Sequence, residues 1–149
     1  MTLNIREAVP NDLPQIHQMI GLLARHHGED VLISLETLHR QVFELEVGRV
    51  WVAAEEEGLI GYALVLIWPN LVTGKAAQEI NHLFVMEWRR QAGIGRALIA
   101  AARDAAFDAG VEMLRIGTHP ENRGAQRAYR DMGLEELPHG GPRFKIALS

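Results

Sequence analysis

The sequence contains no cysteine. A disulfide framework, a thiolate metal site and a cysteine nucleophile are therefore excluded, and a reducing, cytoplasmic setting fits. A basic excess is also missing: 15 Lys+Arg against 19 Asp+Glu leave a formal net charge of −4. Duplex nucleic acid is held largely through counterion release by Lys and Arg, and no stripe of alternating basic and aromatic residues makes up for the deficit. No apolar signal-peptide core opens the chain, because Arg6, Glu7, Asp12 and His17 fall within its first twenty residues. The longest apolar run, Tyr62 to Trp68, is far shorter than the roughly 20 residues of a membrane span. The expectation is a soluble cytoplasmic protein with neither a nucleic-acid nor a membrane partner.

What is present is an ordinary globular mixture, 48% hydrophobic and 23% charged over 149 residues. That length predicts a single domain over 1–149 with a substantial core. Leu3 to Ala8 alternates like a strand. Leu13, Ile16, Ile20 and Leu23 share one helical face after the start signal Pro10-Asn11-Asp12. Ser34 can cap a second helix with Leu35, Leu38, Val42 and Leu45 on one stripe. Val50–Ala54 and Leu59–Trp68 flank a turn at Glu56-Glu57-Gly58 and predict a hairpin. Glu79–Met86 reads as a central strand. Ile94, Leu98, Ala101 and Ala105 mark a helix ending near Gly110, and Glu112–Ile116 a short strand. A helix from Asn122 to Gly133 and a final strand Phe144–Leu148 complete the pattern, which predicts a mixed α/β (α+β) sheet.

The segment Arg89-Arg90-Gln91-Ala92-Gly93-Ile94-Gly95-Arg96 lies between a predicted strand and a predicted helix. Glycines let a ligand approach the backbone, and the helix start offers unpaired N–H groups at a positive dipole end. Together they form an anion site of the kind that holds phosphate. Leu98 stands where a dinucleotide fingerprint needs its third glycine, and Leu98-Ile99-Ala100 excludes the Lys-Ser/Thr of a nucleotide-triphosphate loop. A second cluster lies about thirty residues on, Asn122-Arg123-Gly124-Ala125-Gln126-Arg127-Ala128-Tyr129-Arg130-Asp131-Met132-Gly133-Leu134.

Taken together, these two segments resemble the GNAT superfamily of acetyl-CoA-dependent N-acetyltransferases. Arg90-x-x-Gly93-x-Gly95 matches the family's (Gln/Arg)-x-x-Gly-x-(Gly/Ala) pyrophosphate loop. Asn122, Ala125, Tyr129 and Gly133 match its Asn-x-x-Ala-x-x-x-Tyr-x-x-x-Gly motif. Leu134 departs from the usual Phe. The resemblance spans the whole chain, with its sharp motifs between Glu79 and Leu134. It implies a mixed, mostly antiparallel sheet of six to seven strands flanked by about four helices, splayed at its central parallel strands. It also implies acetyl-CoA as co-substrate, without a metal. The backbone of Leu83, Phe84 and Val85 is expected to pair with the pantetheine arm, and amides from Arg90, Gln91, Ala92, Gly93, Ile94, Gly95 and Arg96 to hold the pyrophosphate. Asn122 is expected to contact the pantetheine arm, and Tyr129 to protonate the departing thiolate.

An amine acceptor near the Lys reference pKa of about 10.4 must lose a proton before it attacks. Glu79, six residues before Val85, is the first candidate for the base and His82 the second. Simple alternation places them on opposite faces of the strand, unless a bulge intervenes. His119 is a weaker candidate for the cleft. In this family the acceptor site is built from the first two helices and the loop joining them, here His26-His27-Gly28-Glu29-Asp30. Glu29, Asp30 and His27 would suit a cationic acceptor, with Trp68, Tyr62 and Trp88 as walls. Trp68 through Lys75 to Met86 also resembles the diamine (spermidine/spermine) branch, although that branch is acidic where this chain has Asn81 and His82. The leading expectation is a small-molecule amine N-acetyltransferase, as a homodimer. Protein acetylation at an N-terminus or lysine, and a non-catalytic acyl-CoA-binding module, are the alternatives.

Overall fold

The computed structural model describes residues 2–118, 120–138 and 141–148. The chain divides into two units, Met1–Gly117 and Thr118–Ser149. The first carries β1 (Asn4–Glu7), α1 (Leu13–His26), α2 (Leu35–His39), β2 (Gly48–Glu55), β3 (Gly58–Pro69), β4 (Ala76–Val85), α3 (Ile94–Asp108) and β5 (Leu114–Ile116). The second carries α4 (Arg123–Asp131).

The strands form one sheet in the order β1-β2-β3-β4-β5. The first three pairings are antiparallel and the last, β4 with β5, is parallel. Two layers of helix cover the sheet. Leu13, Ile16, Met19 and Ile20 of α1 and Leu38 of α2 cluster with Val50, Val52, Tyr62 and Phe84. The α3 stripe Ile94, Leu98, Ile99, Ala102 and Ala106 is buried as well, and its helix packs on β3, β4 and β2. Each such fully buried Leu, Ile or Met side chain contributes about 1.5–3 kcal/mol relative to exposure.

Most predicted elements form within two or three residues of their expected limits. The second helix is shorter than its stripe implied. Its α-helical turn stops at His39 and the chain widens into a π turn over Arg40–Glu44. The wider turn shifts the end of the stripe: Leu38 is buried and Val42 packs against the core, while Leu45 is 60% exposed. The predicted final strand does not form. Residues 141–148 have no strand pairing, and Phe144, Ile146 and Leu148 are exposed. Alternation gives a strand only where a neighbour supplies the ladder, and none does so here. The described residues therefore hold five strands rather than six or seven.

Two irregularities of β4 set its outer half apart from the rest of the sheet. Its parallel pairing with β5 covers only Gln78, Glu79 and Ile80, so the sheet splays beyond Ile80. Its pairing with β3 jumps from Val65↔Ile80 to Leu64↔His82. Asn81 is thus left without a partner, as the extra residue of a β-bulge.

Candidate active site

From Asn81 to Val85 the side of β4 turned toward β5 carries no neighbouring strand among the described residues. Met86 N–H donates to Ile60 O at 2.8 Å, which fixes the phase of the β3–β4 ladder. Alternation then turns the peptide groups of Phe84 toward Tyr62, and those of Leu83 and Val85 outward to the free edge. Of the three residues expected to pair with a ligand, Leu83 and Val85 have their peptide groups at the free edge and Phe84 has its own in the β3 ladder. The Val85 carbonyl accepts from Arg90 Nε at 3.0 Å, and the Arg90 guanidinium lies 5.6 Å from the centre of the Phe84 ring.

The chain next enters the glycine loop. Arg89 is tied to the buried Glu55 carboxylate at the end of β2 by an ion pair. Gln91 and Gly93 take positive φ values of 65° and 80°. Gly93 is the N-cap of α3, and nothing lies within 4 Å of where its Cβ would be. The first intrahelical bond runs from Ala97 N–H to Gly93 O at 3.0 Å. The amides of Ile94, Gly95 and Arg96 therefore precede the helical ladder at its positive end. A free strand edge followed directly by such an amide cluster fits an extended chain carrying an anionic group, which is the form of a pantetheine arm and its pyrophosphate.

The opposite chemistry gathers on the other side of β4. Residues paired across an antiparallel ladder share a face, so Glu79 with Leu66, His82 with Leu64 and Phe84 with Tyr62 lie together on the α1–α2 side. The bulge at Asn81 thus overturns the opposite-face expectation and brings both base candidates to one surface. They occupy consecutive positions there, roughly 7 Å apart along the strand. Glu79 is half-buried, and among the described residues its carboxylate has no ion pair. A Cβ added at Gly117, just after β5, would lie 4.0 Å from Glu79 Oε1. His82 is half-buried, and its Nδ1 is 3.1 Å from the hydroxyl of Tyr62. Burial pushes the His82 imidazole below its ordinary value; Glu29 opposes that shift and His27 adds to it.

His27 and Glu29 are therefore within electrostatic reach of His82. The segment that carries them, between α1 and α2, is fastened by His17, whose Nε2 is 2.7 Å from Ile33 O, and by Glu29 N–H donating to Ala24 O at 2.8 Å. Asp30 is exposed on the same segment. Trp68 lies on the same face of β3, two pairs beyond Leu66 toward the end of the β3–β4 ladder, and is 37% exposed. Trp88 is 68% exposed and stacks with Arg89. Tyr62 is not a pocket wall, as it is 0% exposed. It sits in the core with only its hydroxyl turned to His82, and burial raises its phenol well above the usual range.

In the second unit, Asn122 caps α4 by accepting from Ala125 N–H at 3.1 Å, which leaves its side-chain NH₂ to donate elsewhere. Tyr129 is half-buried, and burial raises its phenol above the ordinary value. It therefore stays protonated at neutral pH. His119 lies outside the described residues.

Sequence reasoning missed two contributors, the Tyr62 hydroxyl and His17. A tyrosine in an apolar strand reads as core, and its polar end becomes visible only once the bulge fixes the register.

The family model for the acetyltransferase (GNAT) family matches residues 16–134. An aminoglycoside N(6')-acetyltransferase type 1 of Stenotrophomonas maltophilia is 31% identical over 137 residues, covering 89% of this chain and 86% of the relative. An uncharacterized N-acetyltransferase of Bacillus subtilis (strain 168) is 27% identical over 135 residues, covering 90% and 91%. Among solved structures, an aminoglycoside acetyltransferase from an uncultured soil metagenomic sample, in complex with sisomicin, superposes with a TM-score of 0.79. It is 22% identical, with 96% of this chain and 97% of that chain covered, a likeness of fold.

Proposed function

The chain belongs to the acetyltransferase (GNAT) family and is an acyltransferase, and we propose that it moves the acetyl group of acetyl-CoA to a primary amine of a small, cationic molecule by direct attack in a ternary complex. The observation that carries this reading is the placement of two chemistries on one strand. The free edge at Leu83 and Val85 leads into the α3 amides, while Glu79 and His82 share the face toward His27 and Glu29.

Acetyl-CoA supplies an activated thioester with a thiolate leaving group. The chain supplies the rest. Leu83 and Val85 offer backbone groups to the pantetheine arm, and a ligand pairing there takes over the Val85 carbonyl from Arg90. That frees the guanidinium beside the amides from Gln91 to Arg96, which hold the pyrophosphate. Glu79 takes a proton from the incoming ammonium. Tyr129 gives its proton to the departing sulfur, a role that rests on its place in the motif and on a phenol that burial keeps protonated. The carboxylates of Glu29 and Asp30 favour an acceptor with more than one positive charge. The aminoglycoside N(6')-acetyltransferase among its relatives fits an acceptor of that class.

The test is thiol release from acetyl-CoA across a panel of amines. Release with polyamino sugars and short polyamines, above the level with neutral monoamines, is the expected result. Release with peptide N-termini or lysine peptides and none with small amines would overturn the acceptor class.

A further inference from the structure

We infer that Tyr62 is a positioning residue that holds His82 as the neutral Nε2–H tautomer, so that His82 serves the site as a hydrogen-bond donor and the proton-accepting role falls to Glu79. The donor role rests on the acetyl-transfer reading; the tautomer does not.

The inference starts from a buried hydroxyl. Tyr62 is 0% exposed, and among the described residues its hydroxyl meets one polar atom, His82 Nδ1, at 3.1 Å. A phenol carries a single hydrogen to donate. If Nδ1 carried a proton, that hydrogen would point into the apolar cluster of α1, β2 and β3. A buried donor left unpaired carries the full desolvation penalty of that group. The arrangement without that cost has Tyr62 O–H donating to the Nδ1 lone pair. A neutral imidazole with an unprotonated Nδ1 has its hydrogen on Nε2.

The charge balance agrees. Among the described residues the titratable groups facing His82 are Tyr62 from β3, Glu79 on its own strand, and His27 and Glu29 from the α1–α2 segment. Burial and His27 disfavour the imidazolium, and Glu29 favours it without outweighing them. An imidazolium would also set a second N–H against the Tyr62 hydroxyl and turn the phenol hydrogen into the core. Neutral His82 then has no lone pair on Nε2 with which to accept an amine proton. That nitrogen has no partner among the described residues and is free to donate, to a carboxylate or to a carbonyl oxygen gaining charge. Glu79, the next residue on the same face, is acceptor-only when ionised.

Side-chain ¹⁵N NMR of the ligand-free 149-residue chain tests the tautomer directly. The expected spectrum shows His82 with an unprotonated Nδ1 and a protonated Nε2 at neutral pH, and a titration midpoint below the ordinary value of about 6.5. In Tyr62→Phe, His82 should become a mixture of tautomers and its midpoint should move upward. A wild-type spectrum with Nδ1 protonated would overturn the proposal, as would an identical tautomer and midpoint in Tyr62→Phe. Kinetics test the donor role. His82→Ala removes the donor and should cost about 10²–10³ in kcat/KM, the usual effect of losing one such group. His82→Gln keeps an N–H and loses basicity, so it should be the milder change by at least about tenfold. Equal loss in the two variants would overturn the donor role. A wild-type chain locked in this tautomer but inert toward every amine would overturn the transfer reading and leave the positioning role supported.

Discussion

Along β4 the chain changes from a strand paired on both sides, at Gln78 to Ile80, to a strand paired on one, at Leu83 to Val85. The outer half works with its backbone. Its edge groups and the neighbouring α3 amides would bind through atoms every residue has, and sequence enters chiefly as glycine where φ reaches 80° and a ligand needs open space. The half around the bulge would work with its side chains. In the proposed reaction Glu79, His82 and Tyr62 act through a carboxylate, an imidazole and a phenol, and Glu79 shares the face of the other two because Asn81 is unpaired. Backbone chemistry tolerates many sequences and fails through geometry. Side-chain chemistry fails when a single atom is changed.

Variants can separate the two regions. The largest effect is expected at Glu79. Glu79→Gln keeps the shape and removes the proton acceptor, so kcat/KM should fall about 10²–10⁴-fold. The Kd for CoA should stay near wild type, because no contact at the free edge is lost. Equal losses in both would mean that Glu79 holds the strand together instead. Tyr129→Phe should come next. It removes only the hydroxyl and should lower kcat about tenfold to a thousandfold, near or below the usual range for a general acid, with melting temperature and CoA affinity almost unchanged. A normal kcat with a lowered melting temperature would make Tyr129 structural. The smallest effect belongs to Glu29 and Asp30. Both are exposed, and such charges contribute roughly 0.2–1 kcal/mol each. The double change to Gln and Asn should therefore raise KM for a polycationic amine by only a few-fold and leave a neutral amine unaffected.

The backbone-driven region was the more legible in the sequence. Arg90, Gly93 and Gly95 between a strand and a helix announce an anion site, since unpaired amides and positive φ result directly from glycine placement. The splay of the sheet came from resemblance and is present as the early end of the β4–β5 pairing. The side-chain region was less legible. Alternation put Glu79 and His82 on opposite faces, and one unpaired residue reversed that. No local signal marks Asn81 as the bulge, because its position depends on how β3 and β4 share out their partners. The strand expected at Phe144–Leu148 failed for a related reason: alternation describes one chain, whereas pairing needs two. The π turn after His39 likewise took Leu45 off its predicted stripe.

The division of β4 can be measured most directly by amide hydrogen exchange during titration with CoA. The amides of Leu83 and Val85 face the free edge, whereas Phe84 is turned to Tyr62. Addition of CoA should slow exchange at Leu83, Val85 and the first-turn amides of α3, Ile94 to Arg96, and leave Phe84 unchanged. Slowing at Phe84 alone, or no change at Leu83 and Val85 under saturating CoA, would contradict the assignment of this edge to the cofactor.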